Sequence, residues 1–413
     1  MSRSHEDTQA PKSEEPALDA TSVDRPTTTT DLGQIASDLR PILRNFAQEG
    51  DQARRMPQPV LTALSESGLL RLRLPTAFGG IEADNRTTYE VVRAISRGDG
   101  AAGWTLAVWA ISSWMAGLFP DTVQKTIFGT PSCRVAGILS PGGVAIPTDD
   151  GYILNGRWSF NTGAAQSHWN TLAAVIQEDR SEPIPAMVAV RISDLVVDDD
   201  WHTSGMRGSG SVTVVANGIP VPDAYVLPIG PVIAGAPPSN SNATVPMYRT
   251  PFMVMAGITV GAVAVGLAEA AIDAFLGRLP GRGITYTDHA DQSRAGVTHI
   301  QVGAASRLLE EARLHVCHAA QFSDERLASE APWTVEERVR MRLHLGGATR
   351  RAREAIDLLA SISGGSSTYL HVPIQRIQRD MHTLALHAVM NPETNDELYG
   401  RVACGMGPHT LYI

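Results

Sequence analysis

Apolar positions recur at helical spacing from the start of the ordered-looking chain: Leu32, Ile35, Leu39, Ile42 and Leu43, then Val60, Leu61, Leu64, Leu69 and Leu70. The run Pro75-Thr76-Ala77-Phe78-Gly79-Gly80 ends this first helical pair as a loop. Gly100 to Phe119 then reads as an apolar helix carrying Trp104, Trp109 and Trp114. Near Cys133 the pattern changes. Short runs rich in Val, Ile, Tyr and Trp alternate with Gly, Asp, Asn and Pro, as in Gly151 to Trp158 and Val212 to Val215. Such closely spaced strand and turn signals predict a small antiparallel β-domain. A Pro-, Gly-, Ser- and Asn-rich linker follows from Gly230 to Val245, and the helical period returns after it. Helices are expected at about 251–279, 290–325, 334–363 and 373–390, long enough to form a bundle.

The expected fold class is therefore α+β. A helical domain over 31–132 precedes a β-domain over 133–235 and a four-helix bundle over 236–413. Residues 1–30, polar and acidic with no apolar core, are expected to be a disordered tail rather than a secretory leader. Pro251 to Ala268 is apolar enough to imitate a membrane span. It is short and runs into Glu269 and Asp273, so a buried bundle helix is the better reading.

Composition narrows the function classes. The chain has 413 residues, 43% hydrophobic and 19% charged, as an ordinary soluble protein does. A net charge of -9 and a pI of about 5.7 argue against nucleic-acid or anionic-membrane partners. Cys133, Cys317 and Cys404 lie far apart without metal-ligand spacing and read as free thiols of a cytoplasmic protein. No GxGxxG or phosphate loop occurs, so a flavin or nucleotide would need a different kind of pocket.

The order helix, β, bundle resembles the acyl-CoA dehydrogenase superfamily, and four landmarks carry the resemblance. Pro75 to Gly80 is similar to its P-x-x-x-G-G loop, and Trp158-Ser159-Phe160-Asn161-Thr162-Gly163 to its flavin-contacting strand. Gly205-Met206-Arg207-Gly208-Ser209-Gly210-Ser211 with Val221-Pro222 resembles GMRGTGS…VP. Gly364-Gly365 with Gln375 to Asp380 resembles GG…R-x-x-RD. The dehydrogenases need a carboxylate base to take a proton beside a thioester carbonyl. The two positions where the family keeps it read Met247 to Phe252 and Met381 to Ala388 here, with no Asp or Glu.

Histidines stand there instead, a pattern similar to the flavin-dependent monooxygenases of the same fold. The resemblance implies reduced FMN or FAD delivered by a separate NAD(P)H-dependent flavin reductase. It implies oxygen chemistry through a flavin C4a-hydroperoxide, and hydroxylation of an aromatic or polycyclic small molecule or oxidation of an amine. An acyl-CoA dehydrogenase or oxidase with a displaced base, or a non-catalytic flavin-binding relative, are the alternatives. His387 and His382 are the leading catalytic candidates, since imidazole can hold or return a proton near neutrality. On one helix they would lie about 140° apart, so one faces the flavin. Family position favours His387. Thr162 matches a serine beside flavin N5, where a hydroxyl can hydrogen-bond the ring or its oxygen adduct.

For the cofactor, the resemblance points to Trp158 against the ring, to Ser140 and Gly142 on a neighbouring strand loop, and to Arg249 near the N1–C2 edge. It also points to Arg294 and Gln301, where the dehydrogenases contact cofactor phosphates across subunits, with Gly364, Gly365 and Ser366 around an FMN phosphate. Where many relatives have a histidine before the position of Trp114, this chain reads Ser112-Ser113. The apolar surface of 251–279 and 334–363 exceeds what one small bundle buries, so a homotetramer is expected.

Overall fold

The computed structural model describes residues 28–413 except 131, 178–181, 234–236, 328 and 330. Nearly all of the expected tail over 1–30 lies outside the described residues. The first helix, α1 (Thr29–Asp38), already begins at its edge, capped by the Thr28 hydroxyl on the Asp31 amide. The remaining helices of the first domain are α2 (Arg40–Ala53), α3 (Gln58–Glu66), α4 (Asn85–Gly98), α5 (Gly100–Ala116) and α6 (Asp121–Phe128). Asp84 and Asp99 cap α4 and α5 by accepting from the Thr87 and Ala102 amides.

The middle domain is a single seven-stranded sheet in the order β5-β6-β2-β1-β3-β4-β7. Its strands are β1 (Val135–Thr148), β2 (Gly151–Asn161), β3 (Trp169–Ile176), β4 (Ile184–Arg191), β5 (Val196–Asp198), β6 (Val212–Val221) and β7 (Val226–Pro228). The expectation of a purely antiparallel domain needs one correction, because β1 and β3 run parallel. After the β1–β2 hairpin, the chain passes beneath β1 through a 3-10 turn at Ala164–Gln166 and starts β3 on the other side. Thr162 and Gly163 lie on that crossover.

A short helix α7 (Ile229–Ile233) leads into the bundle of α8 (Phe252–Leu276), α9 (Gly296–Leu327), α10 (Val335–Ser361) and α11 (Pro373–Ala385). A further helix, α12 (Pro392–Ala403), packs on α10 and was not expected from the sequence. It is amphipathic and short, and Pro392 hides its start inside what reads as a loop. The span-like segment is α8, and 94% of its most apolar window is buried among the other helices. Its one buried acid, Glu269, is held by Arg93 at 2.8 Å and Arg313 at 2.5 Å, which joins α4, α8 and α9.

Inside the sheet, Trp158 is almost fully buried and donates its indole N–H to the Ala173 carbonyl at 2.7 Å. Glycines make room for the ring. A Cβ on Gly143 would lie 2.4 Å from Trp158 Cζ2 and 2.5 Å from the Asn155 carbonyl oxygen. Gly143→Ala should therefore lower stability by about 1–3 kcal/mol, as overpacking does. Chemical denaturation measures it, and a variant as stable as the parent would show that the strands can shift aside.

Candidate active site

Period-two alternation would put Trp158 and Phe160 on the same face of β2. They do not share one. The β2–β6 register shifts between Trp158 and Asn161, and Phe160 has a left-handed backbone (φ 63°). This bulge turns Phe160 outward, where it is 69% exposed and meets Trp201 edge-on at 5.9 Å. A strained, exposed aromatic is uncommon enough to mark a binding surface. The expectation that Trp158 faces the flavin ring thus gives way, because the bulge presents Phe160 instead. Gly142 likewise spaces the sheet around Trp158, with a virtual Cβ 2.6 Å from the indole.

Beyond the bulge, the buried Thr162 hydroxyl accepts from the Trp104 indole N–H at 3.0 Å. It also pairs with Ser211 Oγ at 2.8 Å, Ser211 with Ser209 Oγ at 2.7 Å, and Ser209 with the Met206 carbonyl at 2.7 Å. A carbonyl only accepts, so the direction of this chain is fixed. Ser209 donates to Met206, Ser211 to Ser209, and Thr162 to Ser211. The Thr162 proton is thereby committed, and what the oxygen has left to offer is a lone pair. That refines the expectation of a donor at this position: Thr162 is an acceptor, suited to an N–H.

The donor is across Trp104. His387 meets the Trp104 ring edge-on, with centroids 5.2 Å apart. It does not lie on a helix as expected: α11 ends at Ala385, and His387 sits in the turn that follows. Its Nδ1 accepts from the Val389 amide at 3.3 Å, so in the neutral ring Nε2 carries the hydrogen. Nε2 has no protein partner among the described residues. Burial, helped by the Arg342 guanidinium, pushes the imidazole down to about 4. Yet the residue as a whole is solvent-accessible. Crowding by protein together with access to water puts the ring at the edge of the packed interior. A neutral N–H donor and a hydroxyl acceptor therefore flank one indole.

His382 is elsewhere. It points to α10 and bonds Asp357 at 2.7 Å on the exposed side of α11, so it does not share the cleft. The end of α11 at Ala385 separates the two histidines, with His382 on the helix and His387 in the turn after it. Ser140 is exposed on the β1 segment where pairing with β3 is interrupted between Ile138 and Gly143. Arg249 is exposed in a 3-10 turn before α8. Its neighbour Tyr248 packs on Trp114, some three helical turns, roughly 15 Å, along α5 from Trp104. Neither Ser140 nor Arg249 is brought to Thr162 and His387.

Gly364, Gly365 and Ser366 form an exposed turn before α11, with Gly364 in a left-handed conformation (φ 69°). The guanidiniums over it are those of Arg278 and Arg282, not Arg294. Arg278 donates to Ser366 Oγ at 3.1 Å and Arg282 to the Ser363 carbonyl at 2.7 Å. Each leaves a buried Nη1 without a hydrogen-bond partner, and burial and Arg282 lower the pKa of Arg278. Two adjacent cations with orphaned donors beside a glycine turn suit an anionic group such as a flavin phosphate. Within one chain Arg294 and Gln301 are not joined to this turn, and Gln292 docks on the bundle end at the Ile362 carbonyl. This cradle lies at the opposite end of α11 from His387, roughly 20 Å away.

The sequence reading missed Trp104, Phe160, Ser209, Ser211, Arg278 and Arg282. One signal for Trp104 was available: a buried indole N–H in an otherwise apolar helix must find an acceptor.

Two stretches match family models, residues 38–129 the acyl-CoA dehydrogenase N-terminal domain and residues 258–392 the acyl-CoA dehydrogenase C-terminal domain. The chain is 30% identical over 373 residues to the oxygenase subunit HsaA of a flavin-dependent monooxygenase from Rhodococcus jostii, covering 89% of this chain and 97% of that protein. It is 25% identical over 391 residues to the oxygenase component of an FADH(2)-dependent resorcinol hydroxylase from a Rhizobium species, covering 92% and 95%. Among solved structures, XiaF from a Streptomyces species in complex with FADH2 and glycerol superposes with a TM-score of 0.86. The two are 29% identical, over 92% of this chain and 97% of that one.

The His387 assignment has a direct check. Nitrogen-detected NMR should find the ring neutral and protonated at Nε2 at pH 6. The folded-state pKa lies below the unfolded value of about 6.5. The neutral ring's contribution to stability is therefore complete above that pH and is lost as pH falls toward about 4. A midpoint near 6.5 would contradict the crowded cleft.

Proposed function

The chain belongs to the acyl-CoA dehydrogenase family, and from that premise we propose that it is the oxygenase component of a two-component system that hydroxylates an electron-rich aromatic small molecule. It is a flavin-dependent monooxygenase that uses reduced flavin, FMN or FAD, and dioxygen. Its relatives are named oxygenase subunits or components, which supports a separate reductase as the source of that flavin. Hydroxylation is favoured over amine oxidation because the resorcinol enzyme is named a hydroxylase.

The observation that carries the reading is the pairing of an acceptor, Thr162 Oγ1, with a neutral donor, His387 Nε2, on either side of Trp104. When bound, reduced flavin supplies the electrons that activate dioxygen at ring carbon C4a for transfer of one oxygen atom to substrate. The protein's own groups do the rest. Phe160 offers an aromatic face for a flat ring. Thr162 would accept the N–H that distinguishes the reduced ring and so favour that redox state. His387 would donate a hydrogen bond from Nε2 to a developing oxygen anion while keeping that hydrogen. A neutral donor suits this task, because an imidazolium would release its proton to the oxygen and favour early loss of hydrogen peroxide.

The cradle of Arg278 and Arg282 would hold the phosphate of a flavin. Its distance from His387 favours sharing between subunits, in keeping with the expected homotetramer. Val297, Ile300 and Leu314 are exposed along one side of α9, as an interface between copies requires.

Incubation with chemically reduced FMN or FAD, labelled dioxygen and a panel of phenols should place one labelled oxygen atom in product. Bleaching of bound oxidised flavin by an acyl-CoA thioester would favour the dehydrogenase instead. In the same assay Thr162→Val, which keeps shape and removes the acceptor, should divert most electrons to hydrogen peroxide. Product per reduced flavin should fall by roughly one decade, the effect of one lost polar contact. Unchanged coupling would remove Thr162 from the mechanism.

A further inference from the structure

The hydroxyl chain from Thr162 ends on Met206, and Met206 is itself held from the bundle. Its backbone is left-handed (φ 53°), a conformation a methionine adopts only under constraint. Its amide donates to Asp380 Oδ1 at 2.6 Å, and its carbonyl accepts from both Ser209 Oγ and the Trp201 indole at 2.9 Å. Neighbouring contacts close the same joint. Arg379 bonds the Ser204 carbonyl and pairs with Asp51 at 3.2 Å, while a Cβ on Gly205 would lie 2.1 Å from the Arg379 carbonyl oxygen. So α11, which leads to His387, and the turn 206–211, which orients Thr162, are fastened at one point. We propose that Asp380 is a positioning residue for oxygen transfer: by holding the Met206 amide it fixes the polarity of the Thr162 hydroxyl and its register with His387. The proposal rests on the monooxygenase reading of that site.

The surroundings make this clamp sensitive to protonation. Asp380 lines a cavity of about 160 Å³ between α2, α4, α5, α8 and α11. Facing it are Arg44 of α2, Arg97 of α4, Asp99 at the start of α5, Asp273 of α8 and Arg376 of its own helix; Asp51 of α2 lies close by. Burial first, and then the adjacent Asp99, push the Asp380 carboxyl up to about 7. Asp99 is raised by the same burial. An ionised carboxylate accepts more strongly than a neutral carboxyl, so the hold on Met206 tightens as pH rises through neutrality. Stability has the opposite sign. Folding favours the protonated form, so this group's contribution declines as pH rises from about 4, the unfolded value, toward about 7.

Amide exchange of the flavin-free protein, followed by mass spectrometry, tests the clamp without any turnover. Peptides over 203–211 should exchange roughly tenfold to a hundredfold faster in Asp380→Ala, while β3 stays unchanged. Asp380→Asn keeps an acceptor for the Met206 amide and should rescue most of that protection. After correction for intrinsic rates, wild-type protection of 203–211 should rise severalfold between pH 6 and 8, and Asp380→Asn should be flat. If Asp380→Ala fails to fold, the contrast between wild type and Asp380→Asn decides alone. Wild-type exchange in Asp380→Ala, or the same pH response in Asp380→Asn, would overturn the clamp whatever the enzyme's reaction is. Coupling of reduced flavin to product should fall in Asp380→Ala and recover in part in Asp380→Asn. Loosened exchange with unchanged coupling would leave the clamp standing and overturn its role in oxygen transfer.

Discussion

The Trp104 indole fixes where the three domains meet. Its N–H donates to Thr162 on the β-domain crossover, and its ring meets His387 after the bundle helix. The helix that carries it starts at Asp99, whose carboxylate caps α5 and lies against Asp380. An indole buried on an apolar helix cannot leave its N–H unpaired without loss of roughly 1–3 kcal/mol. Any displacement of one domain therefore breaks a contact that the other two have oriented. The acceptor and donor of the cleft are held by packing rather than by their own flexible chains, which is what precise placement of reacting atoms demands.

This dependence also explains the polarity of the site. Thr162 could donate or accept in isolation. Its direction is decided three hydrogen bonds away by the Met206 carbonyl, which has no hydrogen to give. His387 could be charged in water, but crowding keeps it neutral and the Val389 amide selects the tautomer. Neither property belongs to the residue alone. The same holds for Arg278 and Arg282, whose unpaired N–H groups lie beside the left-handed turn at Gly364.

Much of the fold was legible, since long apolar periods and dense turn signals report burial directly. The bundle helices α8 to α11 appear near their expected positions, and the helix–sheet–helix order is as read. The parallel β1–β3 pair was not legible, because strand direction depends on a crossover and not on alternation. Thr162 and His387 stood out by motif position. Trp158 and Phe160 could not be sorted by periodicity, for a bulge and one left-handed residue reverse their faces. Arg278 and Arg282 could not be read from the sequence, because only the folded loop brings them over Gly364 to Ser366. Asp380 gave no sign of its role, because its partner Met206 is 174 residues away in sequence.

In the proposed mechanism Thr162 and His387 address one bound ring from opposite sides of Trp104. The most direct measurement is an anaerobic crystal structure of the protein with reduced flavin. The ring is expected against Phe160, with a ring N–H about 2.7–3.2 Å from Thr162 Oγ1. His387 Nε2 should open onto the same cleft, beside the face where oxygen would react. A ring seated away from Thr162, or one that meets Thr162 while His387 points into a separate space, would contradict it.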